Sequence, residues 1–184
     1  MKRVPILLSV LAMTVVGLSV PAHAQLVDMH DGTIYDTETQ LSWQKDAGAA
    51  GKKSWDQAIA WAACLNDGSG FAGLTGWRLP NADAVCGFND NCTNSEMGHL
   101  FYTELGNKTI VIDEPGDALK NTGPFTNVQH FYYWSGQASL YWDRKPNFAW
   151  TFAFDSGNQG PRIKDQAAYA WAVRPGARSQ SLQK

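Results

Sequence analysis

Three segments in the second half of the chain constrain the fold most. They are Phe131-Tyr132-Tyr133-Trp134-Ser135, Ala149-Trp150-Thr151-Phe152-Ala153-Phe154 and Tyr169-Ala170-Trp171-Ala172-Val173-Arg174. Each alternates aromatic or branched residues with smaller ones, the period of a strand with one face in a core. Turn residues Asp155-Ser156-Gly157-Asn158 separate the last two. The expected product is an antiparallel sheet with an aromatic buried face.

The first half mixes strand and helix signals. Thr33 to Gln44 reads as two short strands around a turn at Asp36 to Gln40. Ser54-Trp55-Asp56-Gln57 is a capping box, a serine followed three residues later by glutamine. It opens a helix to about Asn66, with Trp55, Ala58, Ile59, Ala62 and Leu65 on one face. Ser95 to Leu105 forms a second helical stretch with Leu100, Phe101 and Leu105 as its apolar side. A loop rich in Gly, Pro and Asn follows, to about Val128. Strands, two helices, a long loop and late strands define an α+β domain.

Two short motifs need a decision. Gly68-Ser69-Gly70-Phe71-Ala72-Gly73 has the spacing of a dinucleotide fingerprint but follows a helix and precedes none, so it reads as a glycine-rich helix exit. Gly76-Trp77-Arg78-Leu79-Pro80-Asn81 reads as scaffold. Pro80 holds Leu79 extended, which turns Trp77 and Leu79 to one side and Arg78 to the other. Asn81 can then cap a short helix over Ala82 to Val85.

Lys2, Arg3, the apolar run Val4 to Val20 and Ala22-His23-Ala24 describe a cleavable secretory leader over residues 1–24. The domain is then expected over 25–176, followed by a flexible tail over 177–184. With no further apolar stretch to anchor it, the mature protein is expected to be secreted or periplasmic.

Removing the leader takes away two cations and leaves 13 against 17 acidic residues, a net charge of −4. An acidic domain is a poor nucleic-acid binder. The charge is uneven. Residues 25 to 118 hold 5 cations and 14 anions, whereas 119 to 184 hold 8 and 3. The basic third can meet an anionic partner locally.

Of three cysteines, Cys86 and Cys92 bracket a short polar loop and form the expected disulfide. Cys64 reads as a buried free thiol, a Cys64 link to either of the other two being the competing arrangement. No nucleophile elbow or metal-ligand histidine spacing is present, and His99 reads as a satisfied, half-buried histidine. Asn89, Asp90, Asn94 and Glu96 offer oxygens for calcium, although turns within the disulfide loop explain them as well.

A binding surface is the sharper candidate. Tyr141, Trp142, Arg144 and Lys145 lie in a loop between β segments, and Arg162 and Lys164 follow the next turn. A flat aromatic stacks on a sugar ring, and adjacent cations bond carboxylate or sulfate. The plainer account has Trp142 covering the core edge with the cations solvated.

The runs DTETQLSWQ, SWDQAIAWAACLN, GLTGWRLPNADAV, YYWSG, FAWTFAFDSG and AYAWAVRPG, in this order, resemble the Lcl C-terminal domain family. That domain closes a bacterial collagen-like adhesin and recurs in secreted bacterial proteins. The resemblance implies a C-type-lectin-like fold, two helices beside a small antiparallel β-sheet with long loops. It makes Trp43, Trp55, Trp77, Arg78, Leu79, Pro80, Trp134, Trp150 and Arg174 structural. Relatives often carry a cysteine where Ala172 stands, so Cys64 lacks that partner. The adhesin is linked to sulfated polysaccharide. The expected function is therefore a non-catalytic module that recognises extracellular or surface polysaccharide. A periplasmic redox enzyme using the Cys86/Cys92 loop and a structural envelope or matrix protein are the alternatives.

Overall fold

The structure, a computed structural model, describes residues 25–110, 118–140 and 147–176. The expected leader and tail lie outside these residues. Two mostly antiparallel sheets and two short helices give the α+β architecture expected from the sequence.

The first sheet has the order β1-β2-β3-β9, formed by Leu26–Asp28, Thr33–Asp36, Leu41–Gln44 and Val173–Pro175. Asp36 closes the expected β2–β3 hairpin. Its Oδ1 accepts the Glu38 and Thr39 backbone N–H groups, and its Oδ2 accepts the Thr39 hydroxyl. Residues 37–40 form the turn, and Gln40 takes a left-handed backbone (φ 57) there.

The second sheet has the order β4-β8-β5-β6-β7, formed by Lys52–Lys53, Ala168–Tyr169, Tyr132–Ser139, Phe148–Ala153 and Asn158–Ile163. Strand β7 is absent from the sequence reading. The Asp155–Asn158 turn leads into β7, not into the Tyr169 segment. Gly160 and Pro161 hide the strand pattern, and an edge position is where a strand tolerates proline.

The Tyr169–Arg174 segment is not one strand. It leaves the second sheet after β8, passes through buried Trp171, and enters the first sheet as β9. The Trp171 indole N–H donates to the Gln44 carbonyl at 2.6 Å, which ties this crossover to β3. Around Trp171 pack Trp43, Phe125, Tyr133 and Phe154, with ring centroids 4.9 to 5.8 Å apart. This cluster is the main core.

Helix α1 spans Trp55–Cys64, and the Ser54/Gln57 capping box is complete. Its Ala58 and Ala62 are buried against Leu79, Trp134 and Ala149 in a second core. Small residues let the helix approach the sheet closely. Ile59, expected on this face, is 37% exposed. Cys64 is exposed, which overturns the expectation of a buried thiol. Cys64 ends the helix two positions after Ala62, which turns it away from the sheet.

Helix α2, Glu96–His99, continues as a π turn over Leu100–Glu104. Its Leu100, Phe101 and Leu105 are buried as expected.

The expected helix over Ala82–Val85 does not form. Asp83 Oδ1 accepts the Val85 and Cys86 N–H groups in a tight turn instead, and distant side chains hold the segment. Gln137 Oε1 accepts the Ala82 N–H, and Gln159 Oε1 accepts the Asp83 N–H while its Nε2 donates to the Asp83 and Gly87 carbonyls. Residues 84–86 turn instead.

Candidate ligand-binding face

The Trp77–Asn81 corner is built into the scaffold. Trp77 and Leu79 are 3% and 2% exposed. Arg78 pairs by backbone with Val173. Its guanidinium makes a two-point contact with Glu96, each N–O distance 2.7 Å. Glu96 Oε2 also accepts the Asn81 N–H. Trp43, Trp134 and Trp150 are buried too. The Trp55 indole donates to the Ser135 carbonyl, and Arg174 bonds the Thr75 and Gly176 carbonyls.

The Cys86–Cys92 disulfide forms as expected. Of the oxygen-bearing residues around it, Glu96 is held by Arg78 and Asp90 accepts from Asn158 Nδ2. Asn89 pairs by backbone with Gln159, and Asn94 is exposed.

Tyr141, Trp142, Arg144 and Lys145 lie outside the described residues. Arg162 and Lys164 lie at the end of β7 and just beyond it, and both rest on aromatic rings. The Arg162 guanidinium carbon is 4.6 Å from the Tyr132 ring centre and 5.6 Å from that of Phe131. Lys164 Nζ is 4.3 Å from the Trp55 ring centre. Lys52, which the sequence reading did not single out, places Nζ 3.8 Å from the Phe131 ring centre.

The three cations come from β4, β7 and the residue after β7, and the rings from the start of α1 and the start of β5. The topology explains the convergence. Trp55 N–H donates to the Lys164 carbonyl, which brings the start of α1 against the end of β7. Each cation lies over a ring face, which offsets part of the cost of drying it. The Arg162 Nε–H is buried and has no acceptor among the described residues.

A shallow trough of about 680 Å³ runs along the β5-β6-β7 side of this face. Tyr132, Phe148 and Arg162 line it with Thr151, Gly160 and Phe88. Asp90 and Asn158 also line it. An added Cβ at Gly160 would lie 2.8 Å from the half-exposed Phe88 ring, which would have to shift. A mixed floor of aromatic and small polar residues with a cationic end suits a polar ligand with flat apolar faces.

These features define a two-sheet α+β domain with a cation-and-aromatic face. The model of the Lcl C-terminal domain matches residues 32–174, and the chain belongs to that family. No curated protein and no solved structure shows significant similarity to it. Among the described residues, no helix is long and apolar enough to cross a membrane. The disulfide is compatible with an extracellular or periplasmic protein.

Proposed function

We propose that this protein is a secreted or periplasmic, non-catalytic binding module of C-type-lectin-like type that recognises anionic polysaccharide. The observation that carries this reading is the stacking of Lys52, Arg162 and Lys164 on Phe131, Tyr132 and Trp55. The rings offer apolar faces to sugar, and the cations offer donors to sulfate or carboxylate. Contact is reversible and no bond is made or broken. Tyr141, Trp142, Arg144 and Lys145 are proposed as further contacts to the same ligand. Cys92 is 2% exposed, which supports a structural rather than a redox role for the disulfide.

The test is a glycan array of neutral, uronic-acid and sulfated polysaccharides, run at low and near-physiological salt with and without calcium. Selective retention of anionic glycans at near-physiological salt, lost in Arg162→Ala and Lys164→Ala, supports the reading. Binding to every polyanion that vanishes with salt reduces it to a charged patch. No binding at all removes polysaccharide and leaves protein partners.

A further inference from the structure

The hairpin turn after β2 and the π turn after α2 bring together side chains that the sugar-binding reading does not use. His99 Nε2 lies 3.2 Å from Glu104 Oε1 and 4.0 Å from Glu38 Oε1. Atoms of Asp36, His99 and Glu104, one from each, all lie within 4.8 Å of one another. The Asp36 residue and the Glu104 side chain are each 1% exposed, whereas Glu38 is 49% exposed at the open side.

Two carboxylates removed from water and close to each other are costly unless a cation offsets them or a proton neutralises one. A protonated His99 balances only one. A divalent ion balances both and leaves the imidazole neutral, the form that ligates metal. A tetrahedral ion bound at about 2.0–2.2 Å holds its ligand atoms roughly 3.3–3.6 Å apart; the His99–Glu104 pair is already at 3.2 Å, and the wider group, within 4.8 Å, closes around the ion by a small side-chain movement. Asp36 is already oriented by the Glu38 and Thr39 N–H groups, and its Oδ2 accepts only the Thr39 hydroxyl among the bonds described above, so it can accept further. Hydrogen bonds that fix a ligating carboxylate are the usual support around a metal.

We propose that Asp36, His99 and Glu104 bind a divalent first-row transition cation, with Glu38 as a further oxygen ligand on the solvent side. One imidazole among carboxylates favours Zn²⁺ or Mn²⁺ over Ca²⁺ and Mg²⁺, which take oxygen ligands. None of these four residues belongs to the face carrying Lys52, Arg162 and Lys164, so the two readings fail independently.

The test uses purified protein stripped with chelator and titrated separately with Zn²⁺, Mn²⁺ and Ca²⁺ by calorimetry. The expected result is one Zn²⁺ per chain, bound at least tenfold more tightly than Ca²⁺. Binding weakens at least tenfold in Glu104→Gln and in His99→Gln and is unchanged in Asp90→Asn. Circular dichroism confirms that each variant folds. A second readout needs no variant: sub-stoichiometric Mn²⁺ should broaden the His99 imidazole resonances selectively. Saturable uptake that leaves the His99 signals sharp, uptake unaltered by both substitutions, or no saturable uptake at all overturns the site and leaves a proton-carried His99–Glu104 pair.

Discussion

His99 Nε2 and Glu104 Oε1 are 3.2 Å apart although the two residues are five positions apart in the chain. In an α-helix of about 3.6 residues per turn, positions five apart face different sides. The π turn over Leu100–Glu104, in which Leu105 N–H donates to the Leu100 carbonyl, aligns them. Burial holds the Glu104 carboxyl above its ordinary range, with Asp36 adding to the effect and His99 opposing it. The two members of the pair should therefore respond unequally in metal-free protein. Glu104→Gln keeps a hydrogen-bonding amide and removes a desolvated charge, so it should shift stability by less than about 1 kcal/mol. His99→Ala strands the carboxylate and should cost about 1–3 kcal/mol. Urea unfolding with chelator at neutral pH measures both.

At the start of the first sheet, Lys45 Nζ donates to Asp28 Oδ2 at 2.6 Å. That bond, helped by the His30 backbone N–H, holds the Asp28 carboxyl below its ordinary value of 3.8. A carboxyl depressed in the folded state contributes stability above its unfolded pKa and loses it as pH falls through the folded value. Asp28→Asn should leave stability near neutral pH slightly reduced and flatten its decline below about pH 4. Unfolding midpoints at several pH values between neutral and strongly acidic check the slope.

Arg78 and Glu96 tie the Trp77–Asn81 corner to α2 through two 2.7 Å contacts. A lysine offers a point charge and cannot reproduce the paired geometry. Arg78→Lys should destabilise by about 1 kcal/mol and Arg78→Ala by about 2–3 kcal/mol, partly because Glu96 loses its partner. Chemical denaturation of the two variants gives the ordering.

Gly98 packs on the backbone of the disulfide loop. An added Cβ would lie 2.1 Å from the Cys92 carbonyl oxygen and 2.6 Å from the Ser95 hydroxyl. Gly98→Ala should therefore cost about 1–3 kcal/mol, the range for forcing extra atoms into a packed site. Cys64→Ser, at an exposed position, should stay within about 0.5 kcal/mol. A thiol reagent added without reductant should label one cysteine, Cys64.

The strongly patterned parts of the chain were legible as written. The Ser54 capping box, the Thr33–Gln44 hairpin and the aromatic strands β5 and β6 each follow from local rules, whereas the Tyr169–Arg174 segment, expected as one strand, divides between the two sheets. The role of Trp77, Leu79 and Arg78 followed from one proline. What escaped the reading depends on distant partners. Strand β7 has no alternating pattern, because Gly160 makes room for Phe88 and Pro161 sits at a sheet edge. In place of the helix expected after Asn81, Gln159, 76 positions from Asp83, takes the Asp83 and Gly87 carbonyls and Asp83 closes a turn. Of the residues expected on a binding surface, Arg162 and Lys164 lie among the described residues, and both rest on aromatic rings. Lys52 was missed because a lone lysine beside a two-residue strand carries no signal until Phe131 is placed beneath it. The Asp36–His99–Glu104 group was invisible to spacing rules, since no α-helical or strand period joins its members.

The central claim is that the face built by Lys52, Arg162, Lys164 and their aromatic supports meets an anionic polysaccharide. Its most direct test is backbone and side-chain NMR mapping of the protein titrated with a defined sulfated oligosaccharide at near-physiological salt. The account predicts saturable shifts concentrated at the Trp55 indole, Tyr132, Arg162 Nε–H and Lys164, with no effect at Trp171 in the core. Saturable shifts that cluster elsewhere and spare these residues, or no saturable shifts with any sulfated or uronic-acid oligosaccharide, would contradict it.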